Sequence, residues 1–153
     1  MSVIIELMNV SGETEVPAQA EFQDWANAVL LASDHSGTAM ELGIRLVAEA
    51  ESAELNQHYR HKQGSTNVLS FSYPDISGDT GQPMLGDLVI CSQVVMREAQ
   101  QQQKQATAHW AHMTVHGMLH LLGQDHQDDR QAEIMENLES VILAKLGYAN
   151  PYL

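Results

Sequence analysis

The stretch that decides the fold of this chain runs from residue 116 to residue 126 and reads HGMLHLLGQDH. Three of the chain's eight histidines stand at its first, fifth and eleventh positions. His116 and His120 are four residues apart, so a helix places them one turn apart on the same side. Gly123 follows, and glycine readily takes the left-handed conformation that ends helices and turns the chain back. The spacing therefore predicts that His126 returns to meet the other two rings.

Three imidazole rings in this arrangement predict a metal site. Two helical histidines four residues apart reach one ion from the same side, and a third ligand leaves one tetrahedral position open. Catalytic zinc sites keep such a position for water, whereas structural sites are closed. A metal there lowers the pKa of its water towards neutrality and polarises a carbonyl or phosphoryl oxygen. We expect one Zn²⁺ held by His116, His120 and His126, although other first-row metals accept the same ligands.

The rest of this helix is predicted to be buried on most sides. His109 and His112 extend the histidine stripe within an arc of about 80°. The opposite side is apolar and is expected to face a core; it comprises Ala111, Val115, Met118, Leu119 and Leu122. Buried imidazoles are costly without polar partners, so His109 is expected to pair with another polar group. His112 is an alternative ligand to His120, but only the pair of His116 and His120 leads directly into the glycine turn.

The remaining patterns predict a single α+β domain over residues 1–153, with a mixed sheet of about four strands packed by five or so helices. The strands are expected at residues 2–10, 38–50, 67–73 and 85–91. The helices are expected at residues 17–33, 52–60, 92–102, 107–122 and 128–148. Residues 74–84 are dense in Pro, Gly and Asp, which is typical of an irregular connection.

Single residues mark the expected ends and faces of these elements. The predicted helix N-caps are Ser52, Ser92, Thr107, Asp128 and Asp129, and Gly147 is predicted to end the last helix. One apolar face of the first helix is predicted to consist of Phe22, Trp25, Ala26, Val29 and Leu30. In the second strand, the apolar face comprises Met40, Leu42, Ile44 and Leu46. The alternate face, with Glu41, Gly43, Arg45 and Val47, is expected to point away from the core.

Composition favours a folded cytoplasmic protein. Hydrophobic residues make up 44% of the 153 residues, enough for one core. No apolar run approaches the roughly 20 residues that cross a bilayer, so no membrane association is expected. The start, MSVIIELMNV, has no basic segment and carries Glu6 in its short apolar run, unlike a secretory signal. Cys91 is the only cysteine and fits a reducing compartment, with a predicted place in the core at a strand end.

The charge balance restricts how the chain can meet nucleic acid. The formal net charge is -13, and only seven residues are Lys or Arg. Proteins that grip phosphates usually display a broad basic surface. This balance therefore counts against nucleic acid as a partner without excluding it, and any contact with RNA is expected to be local.

A protease alternative follows from the same histidine spacing. Metzincin proteases share it, with a glutamate directly after the first histidine as the general base that deprotonates water. Gly117 occupies that position here and has no side chain to take the proton. Peptide hydrolysis by that route is therefore not expected.

The chain resembles the YbeY family of bacterial metal-dependent endoribonucleases. HGMLHLLGQDH looks like the family signature, and two further stretches match: LNQHYRHKQGSTNVLSF at residues 55–71 and LGDLVI at residues 85–90. The resemblance implies an α+β fold, a metal held by His116, His120 and His126, and a catalytically important arginine at Arg60. It also implies cleavage of single-stranded RNA, 16S rRNA 3′-end processing and ribosome quality control. Ribosomal RNA and ribosomal proteins are then the expected partners, and DNA is not.

Arg60 also stands out by its own chemistry. With His61 and Lys62 it forms the densest basic cluster of an acidic chain. A guanidinium can clamp a phosphate bidentately and offset charge that develops on it. Lys62 is a candidate peripheral phosphate contact. The alternative is that Arg60 is simply a solvated residue at a helix end.

Some roles stay open at this level. Asp87 and Asp125 are each either an acceptor that orients a ligating imidazole or an ordinary turn or capping residue. The general base is not identifiable from the sequence: the alternatives are metal-bound hydroxide itself, a neighbouring histidine such as His112, or the 2′-hydroxyl of the RNA reacting intramolecularly. A different functional class also fits: a ribosome assembly factor whose metal is mainly structural.

Overall fold

The structure is a computed structural model that describes residues 3–35, 39–72 and 83–153. Within these ranges it has four strands and five helices in the predicted order. They are β1 (Ile4–Asn9), α1 (Gln19–Ala32), β2 (Glu41–Val47), α2 (Glu49–Arg60), β3 (Val68–Phe71), β4 (Met84–Cys91), α3 (Ser92–Gln101), α4 (Ala106–Leu121) and α5 (Asp129–Lys145). Most of the irregular connection predicted at residues 74–84 lies outside the described residues, and Met84 already begins β4.

The four strands form one mixed sheet in the order β1-β2-β4-β3. β1, β2 and β4 run parallel, and β3 pairs antiparallel with β4. Parallel neighbours need crossover connections, which here contain α1 and α2. The predicted α+β class with a mixed sheet is therefore confirmed. Among the described residues, no helix has both the length and the apolar character to cross a membrane.

The main core lies on one face of the sheet, where α4 is the central helix. α4 contacts α1, α3, α5, β3 and β4. The apolar face predicted for α1 is confirmed, since its buried residues are Phe22, Trp25, Ala26, Val29 and Leu30. Because other elements surround α4, most of its side chains are withdrawn from water and few of its positions tolerate an unpaired polar group.

The other face of the sheet is partly covered, which the prediction for β2 missed. Val47 is fully buried in a second cluster with Leu69, Val89, Cys91 and Val94. The prediction that β2 is only half-buried is therefore wrong at Val47 and Glu41, since both are buried. Arg45 does point outwards, and its Nε lies 2.8 Å from Glu51 Oε2. The core position predicted for Cys91 is confirmed, and burial raises the pKa of its thiol.

Besides Asp129, which is already the first residue of α5, three predicted helix N-caps are wrong. α2 begins at Glu49, before Ser52, whose hydroxyl instead bonds the backbone N–H and C=O of Thr66 at 2.9 and 3.0 Å. The other two wrong caps stand inside their helices: Ser92 in α3 and Thr107 in α4. At the last helix the prediction of a cap at Asp128 is confirmed, because its Oδ1 accepts the N–H of Gln131 at 2.7 Å.

Candidate metal centre

A glycine turn after α4 brings the third histidine back. Gly123 has φ +98°, in the left-handed region that favours glycine. The backbone N–H of Gly123 donates to the backbone carbonyl of His120 at 3.0 Å, and the backbone N–H of Gln124 donates to the carbonyl of Leu119 at 2.9 Å. These two bonds form a Schellman motif, which satisfies carbonyls at the helix end and reverses the chain. The predicted role of Gly123 as the helix terminator is confirmed.

The three histidines form one cluster. Nε2 of His116 lies 3.2 Å from Nε2 of His120. When His126 is included, one ring nitrogen from each of the three histidines lies within 4.8 Å of the ring nitrogens of the other two. Nitrogens bound to one tetrahedral zinc at its usual bond length are separated by about 3.3–3.4 Å. The helical pair therefore already has the spacing of two ligands, and His126 needs a small approach.

The donor set suits a metal with an open side. Across the described parts of the chain, no fourth His, Cys, Asp or Glu belongs to this cluster. His116 and His120 are half-buried, whereas His126 is exposed. Three neutral imidazoles at the edge of a pocket fit a tetrahedral ion with one coordination position directed to solvent.

Glu139 fixes the orientation of the first histidine. Its carboxylate is fully buried, and Oε2 accepts a hydrogen bond from Nδ1 of His116 at 3.0 Å. Burial alone would raise the pKa of Glu139, but hydrogen bonds from His112 and His116 outweigh it and lower the pKa to about 2. The ionised carboxylate can only accept, so the proton of His116 sits on Nδ1 and the lone pair of Nε2 faces the cluster.

The second oxygen of Glu139 is held from two sides. Nε2 of His112 lies 2.6 Å from Oε1, and the hydroxyl of Tyr152 donates to the same oxygen at 2.7 Å. Burial lowers the pKa of His112, and the bond to Glu139 opposes that shift. Burial, followed by that carboxylate, raises the pKa of Tyr152, which keeps its proton. His112 thus holds the carboxylate and is not a member of the cluster.

Sequence reasoning missed Glu139 and Tyr152, although α5 carries a signal for the first. The buried residues of α5 are Met135, Glu139, Ile142 and Leu143. A carboxylate in the middle of an apolar helix stripe needs a partner, because an isolated buried charge is very costly. Nothing comparable in the sequence marks Tyr152.

The beginning of α4 uses a different carboxylate. His109 is buried, and its Nε2 lies 2.8 Å from Oε1 of Glu98 in α3. The bond from His109 is the main cause of a lowered pKa at Glu98, and Asn67 also donates to this carboxylate. The prediction that His109 pairs with a polar group is confirmed.

A pocket of about 790 Å³ joins the cluster to the end of α2. The three histidines line it together with Arg60, Tyr59 and Asn67. Lys62 is exposed and lies outside the residues that line it. The structure therefore brings Arg60 and the predicted ligands to one cavity, although residues 55–71 and 116–126 are distant in sequence.

Position 117 explains why no protease base stands here. A Cβ built on Gly117 would lie 2.8 Å from the side chain of Leu88 and 3.1 Å from that of Val68. The carbonyl of Gly117 also accepts the hydroxyl of Ser70 at 2.9 Å. This side of α4 packs directly on β3 and β4, so a side chain at position 117 would meet the sheet.

Neither aspartate considered from the sequence accepts the second ring proton of His116, which goes to Glu139. Asp87 lies over Gly43 beside β1 and β2, on the sheet face opposite α4. Asp125 lines the pocket, and its Oδ1 accepts the backbone N–H of His126 at 2.7 Å, as a turn residue does. Its nearby charge opposes the lowering of the pKa of His120 by burial.

Fold and site together define an α+β protein with a three-histidine cluster at the open end of its central helix. The family described as Endoribonuclease YbeY matches residues 7–147. An Endoribonuclease YbeY of Nitrosococcus oceani is 48% identical over 155 aligned residues, covering 99% of this chain and 98% of the relative. A Thermotoga maritima protein solved in solution shares the fold, with TM-score 0.55, 19% identity and coverage of 97% of this chain and 98% of that one. The chain belongs to the YbeY endoribonuclease family.

Proposed function

We propose that this protein is a metal-dependent endoribonuclease that cleaves single-stranded RNA. Its natural substrate is ribosomal RNA in the cytoplasm, where it serves 16S rRNA 3′-end processing and ribosome quality control. The observation that carries the proposal is the single pocket shared by three clustered histidines and Arg60. Membership of an endoribonuclease family supports RNA as the substrate class.

Four residues of the pocket, and Glu139 behind them, have distinct tasks in this scheme. His116, His120 and His126 hold one Zn²⁺, which supplies an acidified water and a Lewis acid for the phosphate. Glu139 keeps the proton of His116 on Nδ1, and this leaves the lone pair of Nε2 to bind the metal. Arg60 reaches the scissile phosphate from the α2 side and offsets the charge that develops on its oxygens.

The geometry narrows the choice of general base. Nε2 of His112 is 2.6 Å from Glu139, and its buried Nδ1 has no hydrogen-bond partner among the residues that the structure describes. A base must reach the proton that it removes, and His112 lines a different cavity from the one that the three clustered histidines share with Arg60. Without His112 as the base, two routes remain, and they differ in the attacking nucleophile, which is either water or the RNA 2′-hydroxyl. Attack by the 2′-hydroxyl leaves a 2′,3′-cyclic phosphate, which end-group analysis separates from the linear ends that water produces.

The central test is cleavage of end-labelled single-stranded RNA with and without chelator, beside elemental analysis. Arg60→Ala should retain metal and lose about a hundredfold or more in cleavage, because one transition-state donor is removed. Arg97→Ala is the matched control: this arginine pairs with Glu49 at the surface, outside the pocket. Normal cleavage by Arg60→Ala would remove Arg60 from the proposed machinery.

The acidic charge of the chain is a reason to test binding to ribosomal particles as well as cleavage of RNA. A net charge of -13 disfavours broad contact with RNA and favours docking through a ribosomal protein. The alternative function, an assembly factor with a mainly structural metal, predicts binding to ribosomal particles without metal-dependent cleavage. A DNA oligonucleotide of the same sequence and a casein digest complete the assay, and neither substrate should be cut.

A further inference from the structure

Tyr59 is a large aromatic residue in the pocket that the scheme above does not use. It is 58% exposed, directly precedes Arg60 at the end of α2, and lines the same 790 Å³ cavity as the histidines. Single exposed aromatic residues are ordinary on protein surfaces. This one is next to a candidate phosphate ligand, Arg60, and lines the same pocket.

Two neighbours support the Tyr59 ring from its sides. The Phe71 ring lies 5.1 Å away at an interplanar angle of 72°, and the His58 ring lies 4.6 Å away at 84°. Such edge-to-face contacts hold an aromatic ring in a preferred orientation. With both neighbours in place, Tyr59 is still 58% exposed, so part of its ring is available to another planar group.

We propose that Tyr59 is a stacking platform for one unpaired base of the RNA, adjacent to the nucleotide whose phosphate meets Arg60. This inference rests on the proposed function and adds a base-binding subsite to it. The cavity has the size of pockets that enclose small ligands, so it can take a nucleotide. A base in a duplex is already stacked on both faces, so the platform selects single-stranded RNA.

The charge of the chain favours such a platform. With only seven Lys and Arg in a chain of net charge -13, phosphate contacts are few. Stacking on an aromatic ring adds affinity without a positive charge and accepts any base. The platform therefore accounts for RNA binding by an acidic protein and predicts weak sequence preference beside Tyr59.

The test compares variants of the full chain, with metal as purified, on a fluorescent 2′-O-methyl RNA octamer and on cleavable RNA. Tyr59→Ala should weaken octamer binding about 5- to 150-fold, whereas Tyr59→Phe and Tyr59→Trp should stay within about twofold of the parent. Leu31→Ala removes an exposed apolar side chain on α1, outside the pocket, and should bind normally. Thermal melting checks the fold of each variant, and a gel confirms that the octamer stays intact.

A set of octamers with one abasic nucleotide at each position locates the stacked base. In the parent protein, one abasic position should cost as much as Tyr59→Ala does, and in Tyr59→Ala the same position should cost nothing further. Equal losses in Tyr59→Phe and Tyr59→Ala would overturn stacking in favour of a hydroxyl contact. RNA binding unchanged in Tyr59→Ala would also overturn it and leave Tyr59 as a contact for a protein partner.

These results separate the platform from the proposed function. If metal-dependent cleavage is unaffected by Tyr59→Ala, the proposed enzymatic function stands and the proposed role of Tyr59 is wrong. If the parent protein shows base-dependent binding but no cleavage, the proposed role of Tyr59 stands and the proposed enzymatic function is wrong. Cleavage in which Tyr59→Ala raises KM about as much as it weakens octamer binding, with kcat little changed, supports both.

Discussion

The two ends of the histidine stripe on α4 differ in what faces them. His109 and His112 are buried, and each meets a carboxylate from another helix. His116 and His120 are half-buried and meet each other, with His126 beside them at the pocket. One residue type on one face of one helix therefore does two jobs. His116 meets a carboxylate as well, through Nδ1, but its Nε2 faces His120. The groups around each ring therefore decide whether a ring nitrogen is left to bind an ion.

The largest expected effect contrasts the two ends directly. His116→Ala should lower metal content to background and abolish cleavage, because it removes one of three ligands from a half-buried site. His109→Ala should retain metal but lower the free energy of unfolding by about 2–4 kcal/mol, since it leaves a cavity and removes one of the hydrogen-bond donors to Glu98. Elemental analysis and urea denaturation measure the two quantities. Loss of metal from both variants would show that the stripe acts as one unit.

A smaller effect is expected at Glu139, which touches both ends of the stripe. Glu139→Gln should weaken zinc affinity about 10- to 100-fold, because an amide no longer fixes the His116 ring as an ionised acceptor does. Competition with a chromophoric chelator measures this affinity. Glu133→Gln, at an exposed position of the same helix, is the matched control and should match the parent protein. If the two variants bind zinc equally, Glu139 serves packing alone.

The smallest expected effect is the pH dependence of the stability that Glu98 and His109 contribute at the beginning of α4. The pKa of Glu98 is lowered in the folded protein, chiefly by the bond from His109. The folded state therefore binds fewer protons than the unfolded state near the ordinary pKa of 4.5, and the pair stabilises the fold above that pH. Its contribution, about 1–2 kcal/mol for a charged hydrogen bond, is lost as the pH falls through the lowered pKa.

Urea denaturation of the parent protein and Glu98→Gln across this range checks the sign. The difference in unfolding free energy should be constant near neutral pH and should shrink below about pH 4.5. A difference that grows on acidification would contradict the direction of the pKa shift. Metal content near neutral pH should be the same in both proteins, because Glu98 belongs to the other end of the stripe.

The sequence predicted what is local in the chain and missed what is distant. The cluster and its glycine turn lie within residues 116–126, so helical geometry and the conformational freedom of glycine sufficed to predict them. Glu139 meets His116 from a different helix, and periodicity says nothing about which helices become neighbours. The burial of Val47 was missed for the same reason, because alternation along β2 cannot show that α2 and α3 cover its second face.

The compactness of the ligand set has a consequence for metal supply. All three rings belong to eleven consecutive residues, so an ion cross-links no remote parts of the chain. Ring closure over so short a span removes little entropy from the unfolded polypeptide, and the sheet and its helices have a core of their own. Unlike a zinc finger, which collapses when its ion is withdrawn, this protein should persist intact through metal starvation. Under the proposed function, cleavage should stop when the ion is removed and resume when it returns, without loss of the folded chain.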